Sequence, residues 1–273
     1  MACRLSICSP LLCDHMKNIL VCMKSVPATT QVQVDGDFRL KREGVGLQWN
    51  IADESALEAA LQLKGQGGTV TVLTMGPPKL AEALKELLSR GADRAVLLTD
   101  PMIAGADTYA TARALSSAVR CLGSFDLILC GRRAMDGETG QVPPMLAAAL
   151  SLPCITDAEA LWLDDGQLSL RRRLENGMAT LAIHAPAVVS LCEYSYALRL
   201  PSILSMRRAQ GVPVEQLSVA DIGLDAADCG LSGSLTKVIR INTKFPGLRN
   251  GSKETDISSG VSKLLQLCRG VRA

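Results

Sequence analysis

The densest run of residues able to do chemistry is Gly131-Arg132-Arg133-Ala134-Met135-Asp136-Gly137-Glu138-Thr139-Gly140-Gln141-Val142-Pro143-Pro144. It follows the apolar run at residues 126–130 and precedes a helical pattern carried by Met145, Leu146, Ala149 and Leu150. In open α/β sheets, ligands bind outside the carboxyl ends of the strands. Gly131, Gly137 and Gly140 would let the backbone come close to such a ligand, and Thr139 and Gln141 supply polar side chains. N–H groups at the start of the following helix favour an anion such as phosphate. Two further strand ends point to the same crevice, Cys22-Met23-Lys24-Ser25-Val26-Pro27 and Met75-Gly76-Pro77-Pro78. Lys24 is placed either to approach a phosphate or simply to be solvated. Spacing alone leaves two readings open: a phosphate-binding loop, or an ordinary connection whose glycines serve only turns.

Other chemistry is harder to find. G-x-G-x-x-G and Walker patterns are absent, which weighs against a Rossmann dehydrogenase and a P-loop NTPase. The histidines are His15 and His184, and no Ser/His/Asp set stands out. The 10 cysteines are scattered without a C-x-x-C pair, so reduced thiols of a cytoplasmic protein are expected rather than a protein-ligated metal. A net charge of +2 argues against nucleic acid as a partner. No run approaches the ~20 apolar residues of a membrane span. This pattern points to a binding or carrier role.

The elements that would position the loop are legible from periodicity. The continuous apolar run at residues 19–23 reads as a strand buried on both faces, and 69–75 (TVTVLTM), 95–98 (AVLL) and 126–130 (DLILC) read as further strands. They alternate with helices, one in which Asp53 is placed as a cap, one ending near Gly91, and one starting from Asp107. Alternation of this kind implies β-α-β units and a doubly wound, mostly parallel α/β sheet. After Leu152 the rhythm changes. Asp164-Asp165-Gly166 and Asn176-Gly177 are hairpin-turn signals, so residues 161–191 are expected to form an antiparallel extension. The expected organisation is a poorly ordered extension at residues 1–15 (or an upstream start codon), a nucleotide-binding domain at 16–210, and a C-terminal arm at 211–273 that docks on a partner.

Several separated stretches carry a resemblance. Met23-Lys24-Ser25-Val26-Pro27, Asn50 with Asp53-Glu54, residues 70–77 (VTVLTMGP), 91–100 (GADRAVLLTD), 105–115 (GADTYATARAL), the glycine loop, 200–209 (LPSILSMRRA) and 221–225 (DIGLD) occur in the order found in electron-transfer flavoprotein β subunits. From Lys17 to about Arg269 the chain resembles that family. The resemblance implies an adenine nucleotide alpha hydrolase-like fold and an α-subunit partner that carries the flavin meeting acyl-CoA dehydrogenases. It also implies a nucleotide bound at Cys22, Asn50, Asp53, Val72, Met75, Gly131, Arg132, Arg133, Ala134, Asp136, Gly137, Glu138, Thr139, Gly140, Gln141 and Val142, with Lys24 nearby.

Within the family, one group holds AMP here and reads roughly D-D-D-x-N-Q-T. The electron-bifurcating group reads D-G-D-T-A-Q-V and holds FAD. The present loop, Asp136-Gly137-Glu138-Thr139-Gly140-Gln141-Val142, is similar to the second, with Glu138 and Gly140 as departures. Gly137 removes a carboxylate where a diphosphate would lie. FAD is therefore the favoured ligand and AMP the alternative. The FAD reading implies NADH as donor and ferredoxin or flavodoxin as one acceptor. Residues 193–199 (EYSYALR) differ from the family's N-E-P-R-like stretch near the dehydrogenase-recognising loop. Arg199 matches, Ala197 and Leu198 do not, and the position of a leucine anchor falls on Ser195. Either a changed partner preference or drift in an exposed loop would account for this. A non-redox nucleotide-binding regulatory module is the alternative from another class.

Overall fold

Strands whose residues are buried on both faces must sit inside a sheet covered by helices on each side, and the chain follows that rule. The computed structural model describes residues 16–28, 46–164, 166–239 and 253–270; the extension expected at residues 1–15 lies outside them. In chain order the elements are β1 (Met16–Cys22), β2 (Ser25–Pro27), β3 (Leu47–Trp49), α1 (Ile51–Leu63), β4 (Lys64–Met75), α2 (Leu80–Ser89), β5 (Arg94–Leu98) and α3 (Thr108–Leu122). They continue with β6 (Leu127–Gly131), α4 (Val142–Leu150), β7 (Cys154–Asp164), β8 (Gln167–Leu174), β9 (Gly177–Ile183) and β10 (Ala187–Leu191). The last are α5 (Ile203–Gly211), β11 (Glu215–Leu217), α6 (Gly230–Gly233) and α7 (Ile257–Gly270).

The main sheet has the order β11-β5-β4-β1-β6-β10-β7-β8-β9. Every pairing from β11 to β7 is parallel; β7-β8 and β8-β9 are antiparallel. Alternation along the central strands divides the core into two layers. Ile19 and Val21 of β1 join Leu57, Val72, Leu87 and Leu129 on the face covered by α1 and α2. Leu20 joins Leu73, Leu115, Ile128, Leu146 and Val188 on the face covered by α3 and α4. Each fully buried Leu or Ile contributes about 1.5–3 kcal/mol, so both faces are needed.

One sequence expectation is corrected here. Residues 187–191 do not belong to the antiparallel extension. After the β8-β9 hairpin the chain returns as β10 and inserts between β6 and β7, parallel to both. All five residues of β10 are buried, the signature of a central parallel strand rather than a half-solvated one. The extension proper is β7-β8-β9, with the two turns where Gly166 and Gly177 were expected to form them.

Beyond α5, β11 pairs with β5 at the opposite edge, and the compact unit runs through Val238. A separate unit begins at Ile239. Within it, α7 carries Val261, Leu264, Leu265 and Cys268 at helical spacing, and the Asp256 carboxylate accepts from Ser259 N at 2.7 Å in its first turn. No described helix is long and apolar enough to cross a membrane.

α1 also anchors the segment after β10. Its Glu58 is buried and accepts from Arg199 N, Nε and Nη2 at 3.1, 2.9 and 2.9 Å. Ser55 donates to Tyr196 O at 3.2 Å, and the Tyr196 hydroxyl takes Leu161 N of β7 at 2.8 Å. Burial alone would raise the Glu58 carboxyl, but the bonds from Arg199 and Gln62 hold it below its ordinary range. Removing one partner of a buried pair leaves the other uncompensated. Arg199 is half-exposed, which limits the penalty. Glu58→Ala should cost about 2 kcal/mol in urea unfolding and should speed chymotryptic cleavage beside Tyr194.

Candidate functional site: the strand-end crevice

The crevice is assembled by two side chains from the first turn of α1. Asn50 occupies the N-cap position but makes no cap bond with its side chain. That side chain is buried and turned to the glycine loop instead: Nδ2 donates to Arg133 O at 3.0 Å, and Oδ1 accepts from Met135 N at 3.1 Å. Asp53, expected as a cap, is not one either. One carboxylate oxygen accepts from Lys24 N at 2.7 Å and the other from Gly131 N at 2.9 Å. It therefore joins the chain just past β1 to the end of β6. Gly131 is required by this arrangement, because a Cβ there would lie 2.2 Å from Asp53 Oδ1 and 2.7 Å from Ala52 Cβ.

The loop that follows is folded on itself. Lys24 Nζ meets Asp136 Oδ1 at 2.6 Å. Glu138 N donates to Ala134 O at 2.8 Å. Glu138 and Gly140 have φ of 50° and 64°, a region that costs little only for glycine. A side chain at Gly137 would meet nothing within 4 Å among the described residues; this glycine leaves space above the loop rather than allowing a tight turn. Thr108, at the start of α3, donates its hydroxyl to Gln141 Oε1 at 2.9 Å. The helix N-terminus is a poorer anion site than the sequence suggested. α4 opens Val142-Pro143-Pro144, and proline has no N–H to donate. The amides left for an anion are those of the loop up to Val142.

Most of the residues singled out in the sequence fall into three groups. Asn50, Asp53, Lys24, Gly131 and Asp136 form one hydrogen-bonded unit. Cys22 ends β1 with its side chain packed in one core layer, and Met75 ends β4 half-buried; Val72, which the resemblance also assigned to the site, lies inside β4 between β1 and β5 and is fully buried in the other layer. Arg132 and Arg133 turn to the outer side of the loop, where Glu193 holds both: Arg132 Nε to Oε2 at 2.8 Å, Arg133 Nε to Oε1 at 3.1 Å. Burial would raise the Glu193 carboxyl, but its own backbone N–H and the two guanidiniums hold it low.

Glu193 opens the divergent stretch 193–199, but nothing in the sequence linked it to the glycine loop, its partner Arg133 being 60 residues away. The same is true of Arg171 and Arg173, which face Arg133, Met135 and Glu138 across a cleft of about 760 Å³. That size is within the range of small-molecule and cofactor sites. Beside the cleft, Ser195 is turned inward, its hydroxyl donating to Cys192 O at 2.7 Å. The prominent apolar side chains of this stretch are Tyr194 and Leu200, 80% and 85% exposed.

Burial pushes the Asp53 carboxyl up to about 7, against the pull of the hydrogen bonds from Lys24 N, Asn50 and Gly131 N. The Cys130 thiol is raised well above its usual value by its hydrogen bond with Cys22 and by burial.

Fold and loop together define a doubly wound α/β domain with a ligand crevice at its strand ends. The family model described as the electron transfer flavoprotein domain matches residues 37–222. The electron transfer flavoprotein subunit beta of Thermoanaerobacterium thermosaccharolyticum is 40% identical over 229 residues, covering 83% of this chain and 88% of the relative. That of Mycobacterium leprae is 35% identical over 259 residues, covering 92% and 97%. The Caffeyl-CoA reductase-Etf complex subunit CarD of Acetobacterium woodii is 38% identical over 225 residues, covering 81% and 86%. The chain belongs to the electron transfer flavoprotein family, as a β subunit.

The raised carboxyl of Asp53 sets a pH dependence. The folded state holds this proton more tightly than the unfolded one, so the stability it contributes is complete below about 3.8 and is lost as pH rises to about 7. Comparing wild type with Asp53→Asn by urea unfolding between pH 4 and 8 should show this fall in wild type only, with both curves parallel above about 7. Gly131→Ala should lower stability by about 3 kcal/mol at any pH in the same assay, the upper end of the overpacking range.

Proposed function

We propose that this electron transfer flavoprotein β subunit binds FAD in its strand-end crevice and takes part in flavin-based electron bifurcation. The observation that carries this is the loop Asp136-Gly137-Glu138-Thr139-Gly140-Gln141-Val142 at the end of β6. Gly137 faces clear space, so a ligand larger than a mononucleotide meets neither a carboxylate nor a side chain at that point. The donor set fits a phosphate-bearing group. The N–H groups of the loop up to Val142 precede the hydrogen-bond ladder of α4, Thr139 is among these residues, and the Lys24–Asp136 ion pair stands at the loop.

In this reading the loop from Gly131 to Val142, with Asn50 behind it, holds the nucleotide. Backbone amides cradle the phosphates, while Asn50 fixes the loop through Arg133 O and Met135 N. The main chain at Cys22 and Met75, the last residues of β1 and β4, forms the floor. Bound FAD would supply the redox chemistry, accepting hydride from NADH and feeding the α-subunit flavin and ferredoxin or flavodoxin. The chain's own task is to orient the flavin and set the polarity around it. The 760 Å³ cleft beside the loop, lined by Arg171, Arg173 and Glu159, is placed to receive the part of the ligand that extends past the phosphates.

The α subunit and an acyl-CoA dehydrogenase are the proposed partners. The relative from Acetobacterium woodii is by name a subunit of a caffeyl-CoA reductase complex, which favours a partner acting on a CoA thioester. The C-terminal arm, with its helix α7, is proposed to dock on the α subunit.

The test is a visible spectrum and flavin count of the chain co-expressed with its α subunit. Two FAD per heterodimer are expected. Gly137→Asp, which restores the carboxylate, should reduce the count to one with the heterodimer intact. One FAD with AMP in wild type would instead identify a simple carrier, and a colourless protein would exclude both redox readings.

A further inference from the structure

We infer that Asp53 acts on the nucleotide only indirectly, as a positioning residue whose carboxylate latches the chain after β1 to the end of β6 and so fixes where the glycine loop begins. This rests on the reading that the crevice holds a nucleotide, and it departs from the ligand contact that family resemblance assigns to the position. Both carboxylate oxygens are already committed, one to Lys24 N at 2.7 Å and the other to Gly131 N at 2.9 Å. The residue is 6% exposed, and the main chain of Gly131 covers it so closely that no Cβ fits between them. Lone pairs remain on both oxygens, but a group so enclosed offers them to no ligand outside.

What it does control is geometry. Gly131 is the last residue of β6 and the first of the loop, and Lys24 is the residue whose ammonium meets Asp136 on the loop's far side. Asn50, three residues earlier on the same helical turn, holds Arg133 and Met135. The helix start thus grips the loop at three successive places, with Asp53 at the root.

The latch is strongest as an anion, because a carboxylate accepts at both oxygens whereas a protonated carboxyl gives up an acceptor. Among the described residues, the groups acting on it from neighbouring elements are Lys24, itself paired with Asp136, and Cys130 of β6. Cys130 is held as a neutral thiol well above its usual value, so it does not titrate near neutrality. Asp53, raised to about 7, is then the group that changes charge there.

The test uses the heterodimer with its nucleotide removed, with AMP and FAD as probes. Wild-type affinity is expected to fall about tenfold from pH 8 to pH 6, the scale of one hydrogen bond to a charged group. Asp53→Asn should be weak and flat across that range. Without nucleotide, amide hydrogen exchange at Lys24 and Gly131 should be about tenfold faster in the variant, reflecting the lost acceptor. The inference is overturned if the variant keeps the wild-type pH profile. It is also overturned if binding is lost while both amides stay protected, since Asp53 would then touch the ligand. If the variant fails to fold, a flat wild-type profile for FAD, whose diphosphate does not titrate in this range, overturns the inference by itself. Failure of wild type to bind either probe would sink the nucleotide reading, while the exchange data would still decide the latch.

Discussion

A parallel sheet leaves a problem at its carboxyl edge, where the hydrogen-bond ladder stops and the next amides need partners away from bulk water. Here the amides of Lys24 and Gly131 share a single buried carboxylate. This bond pair dictates much around it. α1 must start close against the end of β6, residue 131 must lack a side chain, and the loop must leave the sheet in one direction. The cost is an anion taken out of water, which is why the carboxyl is pushed toward neutrality. A group matched to its site by geometry is mismatched to it by solvation.

The same economy recurs elsewhere in the fold. Glu58 and Glu193 are each gripped by arginine from distant sequence, Glu58 by Arg199 and Glu193 by Arg132 and Arg133. Together with Asp53 they fasten three irregular segments to regular elements: the rim after β1, the outer side of the glycine loop, and the turn after β10. Loops that carry function need such fixing, since their precision must come from rigid neighbours. The helices and strands of this chain supply the rigidity, and the buried Asp53 and Glu58 and the half-buried Glu193 transmit it.

The parallel sheet and its alternating helices were legible because the central strands are rich in Val, Leu and Ile over short runs and alternate with segments of helical periodicity. The glycine loop was visible for a simpler reason: its residue types are rare in such density. Two errors have clear causes. Residues 187–191 follow the hairpin in sequence and read with it, although four of the five are apolar and only Ser190 interrupts them; the return of the chain to an interior slot is a long-range event that no local pattern encodes. Asp53 sits where acidic residues commonly favour a helix start, so a local rule captured it while its partners lay 29 and 78 residues away. Pro143 and Pro144 were in plain view, yet their effect on the helix as an anion site emerges only when donors are counted one by one.

The turn after β10 divides its residues by direction. Tyr196 and Arg199 point inward and are held by β7 and α1, while Tyr194 and Leu200 stand out in solvent. Structural duty and surface chemistry are thus assigned to different positions of one short segment. Substitutions at the outward positions can alter what the surface recognises without loosening the frame that presents it. Such a segment can explore new partners at small cost in stability, and lineages sharing this fold can diverge there while the sheet beneath stays the same.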